Sequence, residues 1–382
     1  MSNPKTIYLS LGSNLGNKMY NLQSAVFKIS ESIGKVLAIS NVYESVSWGF
    51  ESDDFLNICI AIKSNLSPTE VLKEIHTIEQ NLGRIRGEVI NGYLPRSIDI
   101  DILYYDYEII DTETLTIPHP TLQERLFVLK PLSDIAPQFY HPILNKDTRN
   151  LIQMSRDKSG VKRTSFRIYK TRELLLSKLN FIAIEGNIGA GKTTLAEKIS
   201  EDFNAKLILE RFADNPFLPK FYKDPVRFAF PLEMSFLAER YQQFSDDTSQ
   251  FDLFKSFMVG DYDIFKSLIF AKVTLQEDEF KIYRKVFNFM HKEVKKPGLY
   301  VYLYQNTERL LENIKKRDRE YEQNIPPDYL EKINRGYLDF IKSAPDHNTL
   351  IIDISNLDFV KNSEDYCIIL DKIIKHTLSV KN

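Results

Sequence analysis

Between Phe181 and Leu195 the chain reads FIAIEGNIGAGKTTL, and no other stretch limits the fold so tightly. Its centre fits G-x-x-x-x-G-K-T: Gly186, Asn187, Ile188, Gly189, Ala190, Gly191, Lys192 and Thr193, with Thr194 next. The apolar run before it predicts a strand and the run after it a helix, the context in which such a loop cradles phosphate. Glycine lets the backbone curl so that N–H groups at the helix start face an anion. Lys192 is spaced to reach the β- and γ-phosphates and Thr193 to ligate Mg²⁺. The segments that follow keep alternating: a helix near 191–203, KLILE, long helices around 225–292, LYVYLYQ, helices to 343 and LIIDIS. Strands alternating with helices predict a parallel sheet flanked by helices.

The first half carries a different signature. In LPRSIDIDIL, residues 94–103, Asp99 and Asp101 sit two apart in a β-branched run. On a strand they share one face, while Ile98, Ile100 and Ile102 cover the other. Asp is depleted in strands. A solvated face is one reading; a divalent cation that arrives with a nucleotide's phosphates is the other. Before this strand come TIYLSLG, an amphipathic run from Lys18 to Ile33, KVLAISNVYES and FLNICIAIKS as strands, and SPTEVLKEIHTIEQNLG as a helix. That helix has Ser67 as N-cap, Pro68 at its first position and Glu70 three after the cap. Strand, helix, strand, strand, helix, strand is the split βαβ pattern of a ferredoxin-like αβ sandwich. The expected architecture is therefore α+β followed by α/β, in two domains: residues 1–155, a basic linker 156–178, and a P-loop fold with a parallel sheet flanked by helices over 179–382.

A length of 382 residues suits two domains. The net charge of −2 argues against a protein built to coat nucleic acid. The start shows no signal-peptide pattern, and no apolar run approaches the ~18 residues of a membrane span. Cys59 and Cys367 have no metal spacing and read as reduced core thiols. A cytoplasmic protein with small-molecule substrates, and neither membrane nor nucleic acid as partner, is expected. The basic stretch SRDKSGVKRTSFRIYKTRELLLSK invites a nucleic-acid reading. A solvated linker with a short helix from about Thr171 accounts for it more simply.

Around the aspartate strand gather Arg84, Arg86, Arg96, His119 and Arg125. These cations could simply pair with the carboxylates, but there are more of them than two aspartates need. A triphosphate bridged by Mg²⁺ uses both sets. LSLGSNLGNK, DFLN, GRIR, PRSIDIDIL and IPHPTLQERLFVLKPL, in order from about Thr6 to Pro142, resemble 6-hydroxymethyl-7,8-dihydropterin pyrophosphokinase of folate biosynthesis. The resemblance implies diphosphate transfer from ATP to the pterin's hydroxymethyl group, with release of AMP. It implies that Asp99 and Asp101 hold two Mg²⁺ ions, and that Arg84, Arg96 and His119 contact phosphate. Arg125 would help place ATP, with Glu79 near its ribose and base. Ser45 and Asn57 would meet the pterin's polar edge, and Phe127 would stack on it. Two departures bear on loop closure: Gly92-Tyr93-Leu94-Pro95 is one residue longer than the family pattern, and Pro120 follows His119 where an aromatic residue can occur.

From about Asn180 onward the chain resembles the deoxynucleoside kinases. The phosphate loop, LILERFADNPFL, the helix beginning FYKDPVRF and the charged run KKRDREYEQNIPPDYLEKI fall in order. By this resemblance Glu210 takes the proton from a 5′-hydroxyl, while Tyr222 and Glu322 hold the sugar's 3′-hydroxyl. Lys192, Arg317 and Arg319 would stabilise the transferring phosphoryl group. A homodimer through this half is the family expectation. Asp261-Tyr262-Asp263 stands where the family has Asp-Arg-Ser, so an arginine is missing. Glu233 stands where the family reads the base with Gln. An ionised carboxylate only accepts hydrogen bonds, which predicts a base with an exocyclic amine, deoxyadenosine or deoxycytidine, over thymidine. The expected whole is a bifunctional ATP-dependent transferase with ATP as co-substrate. It would use two Mg²⁺ at the first site and one at the phosphate loop. The alternative is a pyrophosphokinase with a degenerate nucleotide-binding or dimerisation module.

Overall fold

The computed structural model describes residues 3–46, 53–84, 96–211, 215–249, 254–319, 322–344 and 347–379. The chain divides into two compact units, Met1–Arg172 and Glu173–Asn382.

The first unit runs β1 (Lys5–Ser13), α1 (Lys18–Ser32), β2 (Lys35–Ile39), β3 (Tyr43–Ser45), β4 (Phe55–Ser64), α2 (Pro68–Asn81) and β5 (Asp99–Tyr105). It continues with β6 (Ile110–Asp111), β7 (Thr116–Ile117), α3 (Leu126–Ile135), α4 (Thr148–Met154) and β8 (Lys162–Arg163). The main sheet has the order β5-β1-β4-β3-β8, with β2 also on β4. β1 is antiparallel to both β4 and β5, which is the split pattern expected. Period-2 alternation builds two cores. Ile7, Leu9, Ile58, Ile60, Ile100 and Ile102 pack against Val26, Ile29, Val71 and Ile75 of the two long helices. On the opposite face Cys59, Leu103 and Tyr104 pack against Val128, Leu129 and Leu132 of α3. α2 starts as its sequence requires, with the Ser67–Glu70 capping box closed. The single strand read over KVLAISNVYES is two, β2 and β3. Between them the Ser40 hydroxyl accepts the Cys59 amide at 2.9 Å.

Much of the basic stretch expected to be a solvated linker is bound to this unit. β8 pairs with β3. The Gln23 side chain exchanges two hydrogen bonds of 2.8 Å with the backbone of Tyr169. Backbone groups that find partners on an edge strand have no reason to stay in water. The short helix follows as α5 (Arg172–Leu176).

The second unit runs β9 (Phe181–Gly186), α6 (Lys192–Asp202), β10 (Lys206–Ile208), α7 (Leu218–Lys223), α8 (Pro225–Ser249), β11 (Met258–Gly260) and α9 (Phe265–Thr274). Then come α10 (Glu277–Met290), β12 (Leu299–Tyr304), α11 (Thr307–Arg317), α12 (Pro327–Ser343), β13 (Thr349–Asp353) and α13 (Ser363–Ser379). The sheet is parallel, in the order β10-β11-β9-β12-β13. Every residue of β9 is buried, as befits a central strand covered on both faces. Ile182, Ile184 and Val301 meet α6 and α13 on one side. Phe181, Tyr300 and Tyr302 meet α9 and α12 on the other. Cys59 lies in the core as expected, but Cys367 is exposed. The buried face of α13 is Tyr366, Ile369, Leu370 and Ile373, and helical periodicity leaves position 367 outside it. Among the described residues no helix is long and apolar enough to cross a membrane.

Candidate active sites

β5 delivers Asp99 and Asp101 opposite Gly12 and Ser10 of β1. The cleft there is lined by both aspartates with Ser45, Phe55, Asn57, Arg96, Arg125 and Phe127. The two carboxylates differ in their surroundings. Asp99 accepts hydrogen bonds from Arg84 Nη1 at 2.6 Å and from Arg96 Nη1 at 2.5 Å. Arg84 also pairs with Glu79, whose Oε1 accepts the Ile100 amide at 2.9 Å. Glu79 is thus buried beneath the cleft rather than lining it. Asp101 has one cation within 4 Å among the described residues, Arg125 Nη1 at 3.9 Å, with the His119 Nε2 at the same distance. Burial, and then the Asp99 charge, push Asp101 up to about 7. Burial, and then Arg125, push His119 down to about 4, so its imidazole is neutral at pH 7.

Cations simply pairing with carboxylates therefore describes Asp99 and not Asp101. The excess negative charge at Asp101 is what a divalent ion would relieve, and an all-oxygen donor pair fits Mg²⁺. Among the described residues no group of three or more His, Cys, Asp and Glu forms a metal centre, so water and phosphate oxygens would complete the shell. Beside the carboxylates, Asn57 Nδ2 donates to Ser45 Oγ at 2.9 Å, both side chains buried. A Cβ at residue 12 would stand 3.2 Å from Asn57 Oδ1, so glycine there makes room for that amide. The Arg125 guanidinium lies 5.8 Å from the centre of the Phe127 ring. Arg86 and the stretch with Gly92, Tyr93, Leu94 and Pro95 fall outside the described residues.

In the second unit the glycine-rich loop leaves β9 and enters α6 through Gly191 at φ 78°. A Cβ there would also meet the Phe359 ring at 2.8 Å. Lys192 Nζ crosses the loop to donate to the Asn187 carbonyl at 2.8 Å. Burial, and then Lys266, lower its pKa to about 8. Thr193 Oγ1 donates to Asp261 Oδ2 at 2.6 Å, and Asp261 Oδ1 accepts the Glu210 amide at 2.8 Å. Glu210 Oε1 accepts Arg240 Nε at 2.7 Å, and its Oε2 accepts Lys266 Nζ at 2.6 Å. Burial alone would raise the Glu210 pKa; Lys266 and Arg240 overcome it and hold the carboxyl well below the usual range.

The same cavity contains Tyr222, Glu233, Arg317, Arg319 and Glu322 between the rings of Phe221, Phe236, Phe270 and Tyr329. Glu322 holds Arg317, and Arg319 Nη1 lies 3.4 Å from it. Glu233 Oε1 accepts the Thr274 hydroxyl at 3.0 Å, while its Oε2 is buried with no hydrogen-bond partner among the described residues.

A deoxynucleoside kinase family model matches residues 182–379. A 7,8-dihydro-6-hydroxymethylpterin-pyrophosphokinase model matches residues 8–137. The deoxyguanosine kinase of Bacillus subtilis is 38% identical over 190 residues, which is 49% of this chain and 92% of that one. A 2-amino-4-hydroxy-6-hydroxymethyldihydropteridine pyrophosphokinase of Aquifex aeolicus is 42% identical over 142 residues, 37% of this chain and 86% of that one. The chain belongs to both families. It is a fusion of a pyrophosphokinase unit and a nucleoside kinase unit, and so a bifunctional kinase. Among solved structures, a deoxyadenosine kinase from M. mycoides with dCMP and dCDP bound is 25% identical, covering 51% of this chain and 99% of that one at a TM-score of 0.45.

Four site residues escape the sequence reading. In the pyrophosphokinase unit Phe55 lines the cleft with Phe127; it sits inside the DFLN motif, two residues before Asn57. In the kinase unit Asp261 bonds to Thr193 and to the Glu210 amide. Arg240 lies seven residues after Glu233, two turns along α8 and so on the same face. Lys266 is a cation set into the apolar helix FKSLIFAKVT, and a buried lysine needs a partner. Tyr262 is fully buried beside Phe244 in the core, with ring centres 6.3 Å apart, and does not line the cavity. The cations that reach Glu210 are instead Arg240 and Lys266.

Proposed function

We propose that the pyrophosphokinase unit transfers diphosphate from ATP to the hydroxymethyl group of 6-hydroxymethyl-7,8-dihydropterin. We propose further that the kinase unit phosphorylates the 5′-hydroxyl of a deoxynucleoside, with deoxyguanosine preferred. In the first reaction the pterin oxygen bonds to the β-phosphorus, the bond to the bridging α,β-oxygen breaks, and AMP leaves. Asp99 and Asp101 would hold Mg²⁺, which supplies charge neutralisation and lowers the pKa of the attacking hydroxyl. Arg84 and Arg96 turn from Asp99 to phosphate oxygens; His119, being neutral, donates a hydrogen bond rather than a charge. Arg125 places ATP. Glu79 keeps Arg84 aimed, a role that replaces direct contact with the ribose and base. Ser45 and Asn57 grip the pterin's polar edge while Phe55 and Phe127 flank its ring. The observation that carries this reading is the under-compensated Asp101 carboxylate beside an aromatic slot with a fixed amide.

In the kinase unit Glu210 accepts the 5′-hydroxyl proton, and Tyr222 and Glu322 hold the 3′-hydroxyl. Lys192, Arg317 and Arg319 neutralise the transferring phosphoryl group. Thr193 and Asp261 would hold Mg²⁺. A degenerate module is not favoured, since the base, a supporting cation and the phosphate loop share one cavity.

Glu233 carries the choice of base. An ionised carboxylate offers acceptors only. Guanine presents two adjacent donors, N1–H and the 2-amino group. Adenine and cytosine place an acceptor nitrogen beside their amine, lone pair against lone pair. The similarity to a kinase named for deoxyguanosine supports the same choice. With wild-type protein, kcat/KM is expected to be highest for deoxyguanosine. It should fall by about tenfold or more for deoxyinosine, which lacks one donor. Thymidine ranking first would overturn the assignment.

Protonation gives a second reading of the same residue. Burial pushes Glu233 up to about 7, with Arg240 and Lys266 pulling down and Glu210 pushing up. Tyr283 and Tyr329 beside it are driven further from ionisation by burial. Above pH 7 the carboxylate suits guanine; below it, the protonated acid can donate to adenine N1 and accept from its amine. The deoxyguanosine-to-deoxyadenosine ratio of kcat/KM should therefore fall between pH 8 and pH 6, and Glu233→Gln should flatten that profile.

A further inference from the structure

In the kinase unit each oxygen of Glu210 already accepts a charge-assisted hydrogen bond, from Arg240 at 2.7 Å and from Lys266 at 2.6 Å. A carboxylate held by two cations binds a proton poorly, so a base in this position needs one of them to leave as the reaction proceeds. Arg240 is fixed from three sides. Its Nε is on Glu210, its Nη1 donates to Ser267 Oγ at 2.8 Å, and its guanidinium lies 4.7 Å from the centre of the Phe236 ring. Lys266 is held less firmly. Among the described residues its one hydrogen bond is to Glu210; its ammonium also lies 5.6 Å from the centre of the Phe270 ring, on a flexible four-carbon stem. Its ammonium lines the same cavity as Lys192 and Thr193 of the phosphate loop, close enough for the two lysines to repel.

We propose that Lys266 is a shared cation, holding Glu210 in the empty site and shifting to the γ-phosphoryl group of ATP during transfer. The shift releases Glu210 Oε2 to take the 5′-hydroxyl proton. The bond formed is from the 5′-oxygen to the γ-phosphorus, the bond broken is from that phosphorus to the bridging oxygen of ADP, and the proton goes to Glu210. Lys266 thereby does the work of the arginine that the chain lacks after Asp261. The inference rests on reading this unit as an ATP-dependent nucleoside kinase.

The test compares Lys266→Met, Lys266→Arg and Glu210→Gln in the full chain. Binding of Mg²⁺ with the non-hydrolysable analogue AMP-PNP is followed by calorimetry, with Asp99→Ala and Asp101→Ala present to silence the other unit. Lys266→Met is expected to weaken AMP-PNP by about tenfold or more, the worth of a charge-assisted hydrogen bond, and Lys266→Arg to recover most of that loss. Glu210→Gln, which frees the lysine, should bind AMP-PNP at least as tightly as the parent. In turnover, Lys266→Met should lower kcat by about 10²- to 10³-fold while KM for the deoxynucleoside stays within about threefold. Equal losses of AMP-PNP affinity in Lys266→Met and Glu210→Gln would mean a merely structural ion pair and overturn the proposal. So would a Lys266→Met protein that keeps kcat. If Lys266→Met fails to melt cooperatively, Glu210→Gln decides alone, and weakened AMP-PNP binding there counts against the shift. Nucleotide binding needs no acceptor. A parent that binds AMP-PNP yet phosphorylates no deoxynucleoside therefore sinks the acceptor assignment, while Lys266 is still judged by these affinities.

Discussion

Replacing Asp101 with alanine should abolish pterin diphosphorylation, with kcat down by about 10³-fold or more, the scale of losing metal-assisted charge stabilisation. Product formation followed through AMP release checks it. The fold should survive. Asp101 makes no hydrogen bond among the described residues, the Arg125 guanidinium is 3.9 Å away, and its removal relieves repulsion with Asp99. The melting temperature of the pyrophosphokinase unit should hold or rise. Asp99→Ala should be equally inactive but less stable, by about 1–3 kcal/mol, because Arg84 and Arg96 lose the carboxylate that both bind. Near-normal turnover in the Asp101 variant would remove the metal from the reading. Deoxynucleoside phosphorylation should be untouched in both, since none of these residues belongs to the kinase unit.

The second large effect is at Glu210. Glu210→Gln keeps the shape of the side chain and removes its charge. Phosphorylation of deoxyguanosine should fall by about 10²- to 10⁴-fold in kcat, the range for a general base, with KM little changed. Arg240 and Lys266 lose their counter-charge, but Lys266 opens onto the cavity. The loss of stability should therefore stay below the ~3–5 kcal/mol of a sealed ion pair. Pterin diphosphorylation by the same protein is the internal control and should not change. An active Glu210→Gln enzyme would show that the proton leaves by another route.

Much of both folds was legible because it is written in short-range patterns. The period-2 run around Ile58 and Ile100, the Ser67–Glu70 capping box and the glycine loop before Lys192 each determine their own element. The candidate residues Asp99, Asp101 and Lys192 stand out for the same reason, by spacing within one segment, whereas Glu210 is singled out by the resemblance. What escaped is what tertiary packing assembles. Arg240 is 30 residues from Glu210 and Lys266 is 56 away; Thr193 and Asp261 are 68 apart. No local pattern pairs them. Tyr262 shows the same limit: the sequence reports a lost arginine, and only packing places Arg240 and Lys266 on Glu210. Cys367 was misjudged because composition alone cannot say which way a helix faces.

The placement of β8 along β3 governs how the two activities can be separated. A truncation ending near residue 155, where the motifs of the first half run out, would strip β8 and unpair the backbone of β3 at Tyr43 and Glu44. Such a border recruits other chains, and the fragment should precipitate or self-associate in sedimentation. A cut after residue 172 keeps the border covered, and that fragment should remain monodisperse and active.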